Sequence, residues 1–128
     1  MQVFLTKWMA RFVRREKISY ASLREAITRA DRGLVDADLG GGLIKQRLAR
    51  AGKGRSGGYW TILAYRRFGR AIFVFGFAKS ELENIGPEDL KTLRDIAAIW
   101  LPADEREISL GLQNGELEEV PYDREEVE

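Results

Sequence analysis

The chain of 128 residues contains no cysteine and no histidine. The absence of cysteine excludes a disulfide scaffold, thiolate zinc sites and a cysteine nucleophile. The absence of histidine excludes a Ser-His-Asp triad and removes the usual general base near neutral pH. No residue spacing indicates a metal or cofactor site, so we expect neither. An enzyme with this sequence would have to work with Lys, Arg, Tyr, Ser, Thr, Asp or Glu.

Long hydrophobic runs are also absent. No stretch reaches the roughly 18 consecutive apolar residues of a membrane helix, and Lys7 interrupts the apolar N-terminus that a signal peptide would need. We therefore expect a cytoplasmic protein with no membrane partner. With 45% hydrophobic and 32% charged residues, the composition is that of a globular domain that buries a core.

The net charge of +1 conceals a strong asymmetry along the chain. Residues 1–79 contain 17 Lys and Arg against 5 Asp and Glu, a net charge of +12. Residues 80–128 contain 4 against 15, a net charge of −11. Such a division indicates an anionic partner for the basic part, with an acidic segment attached.

Hydrophobic periodicity predicts short strands at residues 3–6, 43–49, 59–67 and 71–78. Two helices are predicted between the first strand and the second, and another helix after the last strand. Pro87 suits the first position of the C-terminal helix. The pattern predicts an α+β fold: a small twisted antiparallel β-sheet with two N-terminal helices and a C-terminal helix.

We expect two parts in the chain. Residues 1–101 would form the domain itself. Residues 102–128 would form an acidic extension, with a short helix followed by a tail that is loose at its end.

The cations of the middle of the chain are the first candidate site. Between Leu39 and Ser80 there are nine Lys and Arg and not one carboxylate. The strands could bring several of these side chains to one side of the sheet, where arginine would bind phosphate bidentately. The alternative is that strand-edge cations only prevent edge-to-edge aggregation. The cations expected to converge are Lys45, Arg47, Lys53, Arg55, Arg66 and Lys79.

Aromatic residues accompany these cations. By strand alternation Trp60 lies on the same face as Arg66, and Tyr59 lies on the other face unless a bulge intervenes. Bases stack on aromatic rings, so Trp60 among arginines suits single-stranded RNA. The alternative is that Trp60 is a core residue. We take the RNA-binding residues to be Arg50, Lys53, Arg55 and Trp60.

Cleavage of RNA is open to an enzyme without histidine or metal, because RNA carries its own nucleophile. A base removes the 2′-hydroxyl proton, and cations stabilise the developing phosphorane charge. A lysine close to other cations loses its proton more readily and can act as the base. Lys45, two residues from Arg47, is the first candidate, and Tyr59 or Lys79 could assist in proton transfer.

Three segments together resemble a known family: Leu-Ile-Lys-Gln-Arg-Leu-Ala-Arg at 43–50, Gly-Gly-Tyr at 57–59 and Ile-Phe-Val-Phe-Gly-Phe-Ala-Lys at 72–79. The chain resembles the RelE/HigB-type toxins of type II toxin–antitoxin systems over most of residues 1–120. The Leu-Gly-Gly-Gly-Leu segment at 39–43 is similar to one subfamily of them.

This resemblance implies a microbial-RNase-like fold and a messenger-RNA endonuclease that acts in the ribosomal A site. It also implies a helix-turn-helix antitoxin, encoded beside the toxin, that binds and neutralises it. The family's catalytic positions correspond here to Lys45, Arg47, Tyr59, Arg66 and Lys79.

The sequence departs from the family at Trp60, where relatives usually have an arginine. Two alternatives remain open. The same superfamily includes ParE-like toxins that inhibit gyrase and do not cut RNA. The chain could also be a non-catalytic nucleic-acid-binding module of the same fold, and Trp60 favours that interpretation.

Overall fold

The computed structural model describes residues 1–50, 54–78 and 86–122, without the side chains of residue 50 and residues 54–57. Within these residues, no helix is long and apolar enough to cross a membrane. The described residues form six strands and four helices. In chain order they are β1 (Gln2–Thr6), α1 (Lys7–Glu16), α2 (Tyr20–Asp31), β2 (Ala37–Gly40), β3 (Leu43–Arg50), β4 (Gly54–Arg66), β5 (Arg70–Ala78), α3 (Pro87–Trp100), α4 (Glu105–Gln113) and β6 (Leu117–Glu119).

The strands form one sheet in the order β2-β3-β4-β5-β1-β6. The α+β class is confirmed, but the sheet is mixed rather than purely antiparallel, because β1 pairs with β5 in parallel. The long excursion through α1, α2 and three strands brings β5 back beside β1 in the same direction, as a parallel pair requires. Local sequence patterns do not show which distant strands pair, so this parallel pair was not predicted.

Two strands were not predicted. β2 and β6 lie outside the four strand segments predicted from the sequence, and β6 lies in the C-terminal segment. Neither contains a hydrophobic run: β2 reads Ala-Asp-Leu-Gly and β6 reads Leu-Glu-Glu. Both are edge strands, and each is held by hydrogen bonds to a single neighbour, β3 or β1.

Helices cover both faces of the sheet and create two apolar cores. Consecutive residues of β1 show the division, since Leu5 packs in the core beneath α1 and α2, whereas Phe4 packs in the core beneath α3 and α4. This alternation is the two-residue period of a strand covered on both sides. The site described below lies on the α3 face, at the end of the sheet formed by the C-terminal half of β3 and the N-terminal half of β4.

Arg70 holds the turn between α3 and α4 against the sheet. Its buried guanidinium donates hydrogen bonds to the carbonyl oxygens of Trp100 (3.0 Å), Leu101 (3.1 Å) and Ala103 (2.6 Å). It also donates to Oε1 of Gln2 at 2.7 Å. Carbonyl groups at the end of a helix have no partner within it, so one arginine here satisfies three acceptors. Burial, together with the charge of neighbouring Arg66, lowers the pKa of Arg70.

The C-terminal segment packs into the fold as far as Tyr122. The backbone N–H of Val120 donates to the carbonyl of Val3 at 2.9 Å, and Arg24 donates to the carbonyl of Pro121 at 3.1 Å. Residues 102–122 therefore share the sheet and its cores with the rest of the chain. Residues 123–128 lie outside the described residues, and the division of the chain at residue 101 stays a prediction.

Candidate nucleic-acid interface

Two cations lie against one indole ring at the exposed end of the α3 face. In the β3–β4 register Arg47 is opposite Trp60, and Lys45 is opposite Ile62. The Nζ atom of Lys45 lies 4.5 Å from the centre of the Trp60 ring, and the Cζ atom of Arg47 lies 5.0 Å from it. Both distances are within the range of a cation–π interaction. We call Lys45, Arg47 and Trp60 the cation–indole cluster.

A row of phenylalanines continues this cluster across the sheet. Phe77 of β5 is opposite Trp60, on the side away from Arg47. The ring centres of Phe75 and Phe77 are 6.0 Å apart and tilted. Phe77 is only 5% exposed and belongs to the core beneath α3, against which Trp60 and Phe75 pack. The phenylalanines therefore support the Trp60 ring from the core side.

Side chains from outside the sheet hold the backbone of Arg47. Its N–H donates to Oδ2 of Asp36 at 3.0 Å, and its carbonyl accepts from Arg29 Nη2 at 2.5 Å. Arg29 also donates to Glu25 at 2.9 Å and to Asp36 at 3.4 Å, and its side chain is only 12% exposed. At Arg47, both backbone groups on the edge of β3 therefore have hydrogen-bond partners. The carbonyl is bonded to a side chain of α2, and the N–H to the residue before β2.

One atom of the Arg47 side chain has an unusual environment. Its Nε is buried and has no hydrogen-bond partner among the residues that the structure describes. A buried donor without a partner is uncommon and calls for an explanation. The contact shown for the guanidinium within the described part of the chain is with the Trp60 ring.

The structure does not bring Tyr59 together with Lys45 and Arg47. Tyr59 is 3% exposed and packs in the core beneath α1, where its ring meets Phe12 edge to face at 5.6 Å. Its hydroxyl donates to Oε1 of Glu16 at 2.9 Å. Strand alternation separates Tyr59 from Trp60, as expected in the absence of a bulge at this point. A catalytic role for Tyr59 stays a prediction, without support from this geometry.

Arg66 lies in phase with Trp60 along β4 but six residues further on, a separation of about 20 Å. Its Nη1 donates to the carbonyl of Leu101 at 3.0 Å, beyond the end of α3. Arg66 is therefore at the opposite end of the sheet from the cation–indole cluster, and the expected convergence with Lys45 is not observed.

A family model described as the RelE toxin of the RelE/RelB toxin–antitoxin system matches residues 1–120. The chain belongs to the RelE toxin family. It is therefore a toxin of a toxin–antitoxin system, and the family implies an antitoxin as its partner. A search of curated proteins found no match.

For four of the predicted site residues of this RelE-family toxin the structure describes no side chain. For two of them only the backbone is described, at the end of β3 and near the start of β4. The remaining two lie in the gaps at 51–53 and 79–85. In chain order the four are Arg50, Lys53, Arg55 and Lys79.

Sequence reasoning missed Arg29 and Asp36. Neither residue is among those that the sequence predicted for the site. Their contacts with Arg47 join residues 18 and 11 positions apart in the chain, so no local pattern contains them. The only signal is that Arg29 lies between the inward-facing Ala26, Ile27 and Ala30.

Proposed function

We propose that this RelE-family toxin is a messenger-RNA endonuclease that cuts transcripts on the ribosome, in the cytoplasm and at the A site. The observation that supports this most is the cation–indole cluster. It combines two side chains that bind phosphate with one that stacks on a base, on a single face and within 5.0 Å of one ring centre.

The proposed reaction is attack of the RNA 2′-oxygen on the adjacent phosphorus. Lys45 takes the 2′-hydroxyl proton, and the P–O bond to the 5′-oxygen of the next nucleotide breaks. The products are a 2′,3′-cyclic phosphate and a free 5′-hydroxyl. Arg47 supplies N–H donors and no acceptor, so its contribution is to stabilise the charge that develops on the phosphorane oxygens.

Protonation of the leaving 5′-oxygen requires an acid on the same face. We assign this role to Lys79, whose position lies outside the described residues, on the basis of its match to the lysine that ends the family's central strand. Trp60 holds the nucleotide by stacking. Its contact with both Lys45 and Arg47 keeps the base beside the two groups that act on its phosphate.

The partner follows from the same proposal. A helix-turn-helix antitoxin encoded beside the toxin would neutralise it by binding. The net charge of +12 on residues 1–79 favours an acidic antitoxin segment over a basic one.

One observation favours a second candidate, a non-catalytic RNA-binding module. Trp60 occupies the position where relatives usually have an arginine, and the Tyr59 hydroxyl is directed to the opposite face. A cation–indole cluster without a complete acid–base pair would still bind RNA. The two candidates differ in whether transcripts are cut.

The test is induction of the toxin in growing cells, with mapping of transcript ends on ribosomes. We compare the wild type with Lys45→Ala/Arg47→Ala. The matched control is Arg11→Ala/Arg14→Ala, which removes the same charge from exposed positions of α1 on the opposite face. We expect in-frame cuts and growth arrest for the wild type and the control, and neither for the double variant.

The other possible outcomes distinguish the alternative functions. DNA breaks with an SOS response would support the gyrase-inhibiting alternative. Normal growth with retained RNA binding would support the non-catalytic module. Full toxicity of the double variant, shown by circular dichroism to be folded, would refute the assignment of Lys45 and Arg47.

A further inference from the structure

The turn between β4 and β5 presents an aromatic ring to solvent. Arg66 and Arg70 pair at the ends of the strands, so the turn consists of Arg67, Phe68 and Gly69. Phe68 is 69% exposed, the highest fraction among the large hydrophobic residues that the structure describes. It touches neither apolar core. Phe68 therefore contributes little burial to the fold.

Phe68 also has an unfavourable backbone conformation. Its φ is +59°, in the left-handed region that glycine adopts freely and a phenylalanine adopts only at a cost. The N–H of Gly69 closes the turn on the carbonyl of Arg66 at 2.9 Å, which makes Phe68 its third residue. A turn with a positive φ at that position normally has glycine or asparagine there. Gly69, directly beside it, has no positive φ.

The neighbouring glycine does not take the positive φ, although its φ is unrestricted by a side chain. The space beside Gly69 is occupied by the flexible Arg66 side chain, which folds over the turn toward Leu101. The unfavourable backbone conformation therefore falls on Phe68. An exposed aromatic ring in a strained turn, with no packing to compensate for it, indicates a function outside the fold.

Two arginines flank the ring and are held in place. Arg67 donates from Nε to the carbonyl of Asp31 at 3.0 Å, and its Cζ lies 4.8 Å from the centre of the Phe68 ring. Arg66 donates from Nη1 to the carbonyl of Leu101. Each of these bonds uses one of the five N–H donors of a guanidinium. Both side chains are therefore oriented in advance and retain donors for a ligand.

The surroundings add positive charge. Arg32 is exposed just beyond the end of α2, next to the residue whose carbonyl receives Arg67. The nearest described carboxylate on that helix, Asp31, accepts a hydrogen bond from the Tyr65 hydroxyl. We call Arg66, Arg67 and Phe68 the turn surface.

We propose that the turn surface is a second RNA contact, separate from the cation–indole cluster. Phe68 stacks on an unpaired base, and Arg66 and Arg67 bind the phosphates on either side of it. This inference deepens the proposed function, on which it rests, because it gives the toxin an anchor about 20 Å from Trp60 along β4. A contact at that distance fixes the register of the RNA without touching the reacting phosphate.

The chemistry favours RNA over an acidic protein surface. An acidic partner would need the arginines but not a strained, solvent-exposed ring. Unpaired bases stack on aromatic rings and on guanidinium planes, and here the two planes lie against each other. The source of the RNA is either a free single strand or ribosomal RNA, and the experiment separates these.

The test uses the full chain with Phe68→Gly and Phe68→Tyr. Glycine relieves the backbone strain and removes the ring, whereas tyrosine keeps the ring. Two ligands are used: a fluorescein-labelled, unstructured 20-nucleotide RNA measured by anisotropy, and purified ribosomes measured by co-sedimentation. The matched control is Lys17→Gly, because Lys17 is the other described non-glycine residue with a positive φ (+56°), is exposed, and lies at the end of α1.

We expect Phe68→Gly to melt no lower than the wild type and to bind RNA about tenfold more weakly, the loss of one stacked base. Phe68→Tyr and Lys17→Gly should bind within about twofold of the wild type. Weakening with ribosomes alone would identify ribosomal RNA as the ligand, and weakening with both would identify any single strand.

Unchanged binding of both ligands by Phe68→Gly would overturn the proposal, as would a loss confined to antitoxin binding. The proposed nuclease function fails independently of this result. If the wild type cuts no transcript but Phe68→Gly still weakens RNA binding, the turn surface is supported as an RNA contact and the nuclease function is refuted. If Lys45→Ala/Arg47→Ala abolishes cutting while Phe68→Gly changes nothing, the nuclease function is supported and the turn surface is refuted as an RNA contact.

Discussion

The carboxylate of Asp36 accepts a hydrogen bond from the backbone N–H of Arg47, at 3.0 Å from Oδ2. Regular pairing of β2 with β3 begins only at Ala37, opposite Lys45. Asp36 and Arg29 thus take the place of the next strand residue and satisfy the N–H and the carbonyl of Arg47. The position of a proposed active-site arginine therefore depends on a residue that the sequence did not predict to belong to the site.

Replacement of Asp36 should displace Arg47. In Asp36→Ala the Arg47 N–H loses its acceptor, and we expect the free energy of unfolding to fall by about 1–2 kcal/mol. We also expect the amide resonance of Arg47 to shift and RNA affinity to fall. Asp36→Asn keeps an acceptor oxygen and should restore most of the affinity.

The control for this prediction is Asp38→Ala. Asp38 is an exposed neighbour that accepts a hydrogen bond from Gly40 at 2.9 Å and does not contact Arg47. Heteronuclear NMR of the three variants decides the outcome. An Arg47 amide resonance that is the same in Asp36→Ala and the wild type would show that Asp36 does not position it.

Trp60 should act as a stacking surface rather than as a structural residue alone. We expect Trp60→Ala to weaken binding of single-stranded RNA by roughly tenfold, since stacking on an aromatic ring contributes about 1–3 kcal/mol per base. Trp60→Phe keeps a ring between Lys45 and Arg47 and should lose less. Fluorescence anisotropy at a fixed salt concentration measures both. Equal affinities for the alanine and phenylalanine variants would argue against stacking.

Arg70 should be essential to the fold but not to the chemistry. Arg70→Met leaves the buried Ala103 carbonyl without this donor, while the Leu101 carbonyl keeps Arg66 and the Trp100 carbonyl keeps the Ala103 N–H. We therefore expect the free energy of unfolding in urea to fall by about 1–3 kcal/mol. Arg106→Met, on the exposed surface of α4, should change it by less than about 0.5 kcal/mol. A stable Arg70→Met protein would show that water or a rearranged turn can replace the guanidinium.

Tyr65 should make stability depend on pH at the alkaline end. Burial, and then the hydrogen bond to the Asp31 carboxylate, raise the pKa of Tyr65 in the folded protein. An unfolded tyrosine ionises near pH 10. The contribution of Tyr65 is therefore fully present below about pH 10 and is lost above it, where the unfolded state releases a proton that the folded state retains.

Urea unfolding of the wild type and Tyr65→Phe between pH 8 and pH 11 tests this. We expect the stability of the wild type to fall more steeply than that of the variant above about pH 10. Parallel curves would mean that Tyr65 ionises equally in both states.

Much of the fold could be read from local pattern. The apolar run at residues 71–78 predicted a strand, and β5 is that strand, with helices on either side. The short turn after Arg66 predicted an antiparallel pair, which the register confirms. The family resemblance is likewise confirmed by the match over residues 1–120. These features rest on neighbouring residues, whose period and turn chemistry a sequence shows directly.

The sequence by itself therefore determined the α+β class, the family and the cationic strand with Lys45 and Arg47, because alternation places residues two apart on one face. Only the tertiary structure decided which distant groups meet them. It put β1 beside β5 in parallel, carried Arg66 to the far end of the sheet, and set Arg29 and Asp36 on the backbone of Arg47. Such contacts join residues far apart in the chain, and packing of the helices on the sheet, rather than any local preference, selects them.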